Sequence, residues 1–164
     1  IPENMTDPLW PGVVSAVKEI GSCCAARGLG FWFETGQETP VVLLRLIEEV
    51  GLPNLGINLD PANLILYGKG NPVDALDVFG PWVRNVHAKD GFYPTNGREL
   101  GREVAVGKGR VDFPRLIRRL KEVGYDGELV IEREIPEGAE QEKDIRETID
   151  NLRRWVRNSD GGQA

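Results

Sequence analysis

Four residues able to ligate a divalent cation close four short apolar stretches of this chain. The stretches read Phe31-Trp32-Phe33-Glu34, Leu55-Gly56-Ile57-Asn58-Leu59-Asp60, Val83-Arg84-Asn85-Val86-His87 and Leu129-Val130-Ile131-Glu132. If they are parallel strands of one sheet, Glu34, Asp60, His87 and Glu132 share its carboxyl edge, where α/β sheets place their chemistry. Carboxylates converging there without a cation would repel, and one would take up a proton; a bound metal resolves that conflict. Oxygen ligands with a single imidazole favour Mn²⁺ or Mg²⁺, with Co²⁺, Fe²⁺ or Zn²⁺ as replacements. Each residue also has a plainer reading. An acid at a strand end often caps the next turn, Asp60 before Pro61 suits a turn, and a lone histidine is more often simply hydrogen-bonded. The coincidence argues for a site: His87 is the chain's only histidine, and it ends its stretch in step with three acids.

The elements that must position these residues follow from hydrophobic periodicity and its punctuation. After an extended lead-in over 1–9, a helical period runs over 10–27, with Val13, Val14, Val17, Ile20 and Ala25 or Ala26 on one face and Gly28 to end it. Thr39-Pro40 supplies an N-cap and first-turn proline for a helix over 41–50, which Gly51 ends. Strands are expected at 31–34, 54–60, 83–87 and 128–132. Further helices are expected at 72–79, from 112–114 to Gly124, and over about 141–156, with a frayed tail over 158–164. A long polar, Gly-rich loop fills 91–109.

Strands alternating with helices imply right-handed βαβ crossovers and a parallel α/β sheet. The strands read as near-continuous apolar runs, as buried parallel strands do. A complete (β/α)₈ barrel uses about 250 residues. Residues 1–164 therefore read as a single partial domain, the C-terminal half (strands 5 to 8) of a TIM-type barrel. Its two open sheet edges predict self-association, or pairing with a missing N-terminal half-barrel.

Composition narrows the partners. The net charge is −6 and no basic block stands apart, so nucleic acid and anionic membranes are poor candidates. No apolar run approaches the roughly 20 residues of a membrane span, and a cytoplasmic location is expected. Cys23 and Cys24 are adjacent, so they cannot staple distant segments, and no further thiol is present to complete a zinc-cysteine site.

The ordered segments Phe33-Glu34-Thr35-Gly36-Gln37-Glu38, Asn58-Leu59-Asp60-Pro61-Ala62-Asn63, His87-Ala88-Lys89-Asp90, Val106-Gly107-Lys108-Gly109 through Asp112-Phe113, Gly124-Tyr125-Asp126-Gly127 and Ile131-Glu132-Arg133-Glu134 carry a resemblance. From about Gly28 to Trp155 the chain resembles the xylose-isomerase-like (β/α)₈ barrels, specifically their sugar phosphate isomerase/epimerase group. The resemblance implies that Glu34, Asp60, His87 and Glu132 bind one divalent metal, commonly Mn²⁺ or Mg²⁺. It also implies that Glu34 and Glu132 act as acid and base across a bound sugar or polyol, with proton abstraction and return through a cis-enediolate.

Asn63 and Lys89 are candidate substrate contacts. Several relatives carry a histidine at the position of Asn63, and asparagine can bond a hydroxyl but cannot relay a proton. Lys89 suits a sugar oxygen or phosphate, or else a solvated loop. Arg133 should point away from Glu132. Gly107-Lys108-Gly109 lacks the strand-before, helix-after context of a phosphate loop and reads as a flexible turn. Competing readings are a dehydratase or hydrolase on the same metal scaffold, with an inositol-like or ketoacid substrate, and a non-catalytic barrel fragment. A three-zinc DNA-repair enzyme on the same barrel would need more histidines than one.

Overall fold

The structure is a computed structural model and describes residues 1–160. Its first half contains α1 (Trp10–Ala25), β1 (Phe31–Glu34), α2 (Pro40–Val50), β2 (Leu55–Leu59), α3 (Pro61–Leu66) and α4 (Pro72–Phe79). A single 3₁₀ turn then leads into β3 (Val83–Ala88), β4 (Asp90–Phe92) and β5 (Arg102–Val104). The chain continues through α5 (Phe113–Glu122), β6 (Leu129–Ile131) and α6 (Ala139–Asp160).

β1, β2, β3 and β6 lie side by side in that order, and all three pairings are parallel. The expected α/β architecture of βα units is therefore present. Leu55, Ile57, Leu59, Val86 and Ala88 form one buried core with Leu46 and Ile47 of α2, Leu76 and Phe79 of α4, and Leu116 of α5. The opposite face carries Trp32, Glu34, Gly56, Asn58, Asn85, His87 and Val130; Trp32 and Val130 are 49% and 40% exposed. Helices thus cover one side of the sheet, and the polar side chains lie on the other.

Local punctuation behaves as the sequence suggests. Thr39 Oγ1 accepts the Val42 N–H at 3.4 Å, and Gly51 adopts φ 67°, the left-handed conformation that a side chain would disfavour. Asn71 caps α4 and Asp112 caps α5. Phe113 stacks on Trp155 at 5.5 Å between centroids, locking α5 against α6.

Several expectations need correction. The lead-in over 1–9 is a series of turns rather than extended, because Asn4 and Asp7 accept N–H groups two residues on, from Thr6 and Leu9. On α1, Ile20 is 47% exposed; Gly21 meets the core instead, where an added Cβ would lie 2.8 Å from Leu52 Cδ1. A short helix, α3, follows Asp60 directly. The final helix is longer than expected at both ends and continues through 158–160, where fraying was expected; residues 161–164 lie outside the described residues.

The long loop over 91–109 is also more ordered than its composition suggests. β4 and β5 pair antiparallel, Asp90 opposite Val104. Asp90 is fully buried, and its carboxylate accepts four backbone N–H groups: Gly91 and Val111 on Oδ1 at 2.8 and 3.0 Å, Gly107 and Gly109 on Oδ2, both at 2.9 Å. A Cβ at Gly109 would sit 2.1 Å from Asp90 Oδ1, so only glycine allows this approach. The supposed flexible turn is therefore a backbone cradle wrapped around an internal anion.

Candidate metal centre

Parallel pairing brings the four strand ends to one edge, and a bulge makes the geometry work. Ile57 pairs with Val83, but Asn58 pairs with Asn85 and Leu59 with Val86, so Arg84 is an extra residue on β3. If Arg84 were instead a regular strand residue, period-2 alternation starting from the buried Val83 would turn His87 toward the helices. The bulge restores parity, so Asn85 and His87 share the face of Asn58 and Glu34. Arg84 holds the kink by donating from Nη1 to the carbonyls of Pro81 and Val83 at 2.8 and 3.0 Å.

All four expected residues come together. Glu34, Asp60, His87 and Glu132 each offer one ligand atom, and these atoms lie within 4.8 Å of one another. His87 Nδ1 stands 3.3 Å from Glu132 Oε2 and 3.7 Å from both Glu34 Oε1 and Asp60 Oδ2. Asp60 serves two roles: Oδ1 caps α3 by accepting the Asn63 N–H at 2.9 Å, while Oδ2 faces the cluster. Thr35 fixes it from the neighbouring strand end, donating Oγ1–H to Asp60 O at 2.7 Å and accepting Asp60 N–H at 2.8 Å.

The donor set fits a divalent cation. Asp60 Oδ2 and His87 Nδ1 are both buried without a hydrogen-bond partner, and both point into the cluster. Buried polar atoms normally find partners, and two orphans facing one point are what a shared ligand would satisfy. Three carboxylate oxygens and one imidazole nitrogen match a hard-to-intermediate cation.

The electrostatics follow from this crowding. Partial burial pushes the Glu34 pKa above its ordinary value; His87 opposes the shift, and the Asp60 and Glu132 charges add to it. The His87 pKa is also raised, chiefly by Asp60 as an acceptor, against the cost of burial, with Glu132 and Glu34 contributing charge. At 3.7 Å the His87–Asp60 approach is too long for a formed hydrogen bond, and it is an ion pair only when the imidazole is protonated. The Lys89 pKa is raised: burial opposes the shift, but Glu134, Asp60 and Glu132 outweigh it.

Lys89 is turned inward rather than solvated. Its Nζ lies 3.1 Å from Glu132 Oε2, 2.5 Å from Glu134 Oε2 and 3.7 Å from Asp60 Oδ2. Asn63 reaches the site as well, donating Nδ2–H to Glu34 Oε1 at 3.2 Å. Glu34 and Asn63 line an open cleft of about 500 Å³ with Gln37, Glu38 and Tyr67. Arg133 points away from the cluster, as its neighbour relation to Glu132 suggested, and bridges Glu103 at 2.7 Å and Asp144 at 2.9 Å. The sequence reading missed Thr35, Glu134 and the pair Asn58 and Asn85. For the asparagines a signal existed: each sits inside a strand, where asparagine is disfavoured.

Comparison with known proteins identifies the fold family. Residues 5–155 match the family model described as a xylose isomerase-like TIM barrel. The chain is 28% identical over 148 residues to an inosose dehydratase of Geobacillus kaustophilus, covering 80% of this chain and 48% of that protein. Among solved structures, a xylose isomerase domain protein from Planctomyces limnophilus superposes with TM-score 0.93 at 39% identity, covering 98% of this chain and 58% of the other. A D-tagatose 3-epimerase-like protein shares the fold, with TM-score 0.74 at 23% identity over 100% of this chain and 61% of its own. The chain therefore spans about half the length of the inosose dehydratase and under two thirds of both structures. The family match over 5–155 accords with the parallel order of the four strands, and the chain belongs to the xylose isomerase-like TIM-barrel family.

Proposed function

We propose that Glu34, Asp60, His87 and Glu132 hold one divalent cation, Mn²⁺ or Mg²⁺, in a sugar or polyol isomerase or epimerase. One observation carries the reading: four ligand atoms converge within 4.8 Å, and two of them are buried orphans. When bound, such a cation polarises a carbonyl and acidifies the neighbouring C–H. The chain's own residues would then do the rest. Glu34 ends one outer strand of the four-stranded sheet, Glu132 follows the other, and they converge on one cluster, so both carboxylates can reach a substrate bound over it. One removes the proton to leave a cis-enediolate, and the other, protonated, returns it at the neighbouring carbon or on the opposite face.

Their surroundings differ, as acid and base partners' must. Glu34 is bonded by Asn63, while Glu132 is bonded by the buried Lys89. Asn63 and Lys89 are the proposed substrate contacts, exchanging a carboxylate partner for a substrate hydroxyl. The second reading is a dehydratase, favoured by the 28% identity to the inosose dehydratase. It would begin with the same proton removal and end with loss of a β-hydroxyl.

Calorimetry with Mn²⁺ tests the metal site. The chain should bind one ion, and His87→Ala and Glu132→Gln should each weaken binding beyond the roughly 10–100-fold typical of an outer partner. Proton chemistry is tested by loading the protein with Mn²⁺ and following a ketose in ²H₂O by NMR. Deuterium entering a recovered sugar isomer marks the isomerase or epimerase, and a deoxy-keto product with release of water marks the dehydratase. Tight Mn²⁺ binding with neither product from any ketose or inosose would overturn the catalytic reading.

A further inference from the structure

We propose that Asn58 and Asn85 form a reversible carboxamide relay that fixes which His87 nitrogen carries the proton, and so whether Nδ1 offers a lone pair to a cation. The inference rests on the metal reading above and concerns residues that do not touch the ion.

His87 Nε2 lies 3.1 Å from Asn58 Nδ2, and Asn85 donates Nδ2–H to Asn58 Oδ1 at 2.9 Å. In this arrangement every bond in the row points toward the imidazole. With Asn58 Nδ2–H facing it, Nε2 accepts, and a neutral ring then carries its proton on Nδ1, facing the oxygens of Glu34, Asp60 and Glu132 at 3.7, 3.7 and 3.3 Å. Without a cation that direction turns the proton toward three negative oxygens, an electrostatic match, although none of them is placed to accept a hydrogen bond from Nδ1.

A cation demands the reverse. Nδ1 must present its lone pair, so the proton must sit on Nε2 and needs an acceptor there. Asn58 supplies one by a half-turn of its carboxamide, which brings Oδ1 to Nε2 and Nδ2 toward Asn85. Asn85 turns likewise and accepts with its own Oδ1. The oxygen and nitrogen ends of a carboxamide have nearly the same shape, so the row reverses without repacking the sheet. Leucine or valine would serve either strand better on propensity, but could not do this.

The β3 bulge sets the two asparagines directly opposite each other. Both lie half-buried on the polar face of the sheet, where a bond must be made within the row rather than by free exchange with water. Metal-bound histidines generally need such an outer partner to hold ring orientation and tautomer. Here the partner is a pair of neutral amides that can hold either tautomer.

The chain's single histidine makes the test direct, since a long-range ¹H–¹⁵N spectrum of histidine-labelled protein contains one imidazole. With Zn²⁺ added, the wild type should show a proton on Nε2 and a metal-shifted Nδ1. Asn58→Leu should lose Zn²⁺ affinity by about 10–100-fold. Asn58→Asp keeps an acceptor at Nε2 and still takes the Asn85 donor, so it should recover most of that loss. Far-UV circular dichroism on each metal-free variant checks that it is folded.

Loss in the leucine variant, recovery in the aspartate variant and the Nε2–H tautomer in the loaded wild type together support the relay. A folded Asn58→Leu chain that binds Zn²⁺ within about twofold of wild type overturns it, as does Nδ1–H in the loaded protein. If the wild type binds no Zn²⁺ or Mn²⁺ at all, the metal reading has failed. If it binds and Asn58 is indifferent, only the relay has.

Discussion

His87 must serve two opposing demands, and pH separates them. Its pKa in the folded, metal-free protein lies above the ordinary 6.5, with Asp60 the chief cause. The folded state therefore holds the ring proton more tightly than the unfolded chain does. The resulting stabilisation is complete below pH 6.5 and is lost as pH rises through the higher folded-state pKa. Urea midpoints of the metal-free protein should accordingly fall over the window just above that value, and His87→Gln should remove the fall. Mn²⁺ affinity should climb over the same window, because the ion competes with the proton. A flat stability profile for the wild type would mean that the imidazole is not held by the carboxylates. At this scale the sequence was informative where residue type and strand end coincide, as at Glu34, Asp60, His87 and Glu132. It was uninformative for Lys89, because its partners Glu132 and Glu134 lie more than forty residues away.

At the scale of elements, the legible parts were those with long apolar periods or explicit caps, such as α2 between Thr39 and Gly51. The short pieces were not. β4 and β5 have three residues each and a polar composition, and their pairing depends on the buried Asp90 rather than on any local alternation. α3 hides behind Asp60-Pro61, a dipeptide that suits a turn equally well. The β3 bulge is the most consequential feature that alternation alone does not reveal. Strict alternation puts Val83, Asn85 and His87 on one face, whereas Val83 is buried in the core and His87 faces the site. Arg84 absorbs the mismatch, which predicts an unusual tolerance. Deleting Arg84 should leave Val83 inside and His87 at the site, so the chain should keep Mn²⁺ binding within about tenfold, the lower bound for losing an outer partner. Deleting Val86 leaves the bulge in place and carries His87 to the helix face, so binding should vanish. Calorimetry on the two deletion variants decides, and a folded Arg84 deletion without binding would refute the parity argument.

At the scale of the molecule, the alternation of apolar strands and amphipathic helices was enough to read parallel βα units, because each strand is buried by the helices that flank it. The sequence could not show how the rim of the sheet is finished. β1 and β6 each have one strand neighbour among the described residues. Beside β6, a groove of about 530 Å³ lined by Leu129, Ile131, Leu152 and Val156 lies away from the carboxylates. No helix of the described residues is long and apolar enough to cross a membrane. Across the carboxyl edge, order is maintained by single charged groups that each tie several segments: Arg133 joins β5 to α6 through Glu103 and Asp144, and Asp90 gathers the chain from 91 to 111. The Asp90 cradle has a kinetic consequence. Four amides that share one carboxylate cannot exchange with solvent one at a time without leaving the buried anion underbonded. Gly91, Gly107, Gly109 and Val111 should therefore exchange their hydrogens for deuterium with a common opening free energy, and Asp90→Ala should speed all four together. Four unrelated rates in the wild type would show that the cradle opens strand by strand instead of as one hinged unit.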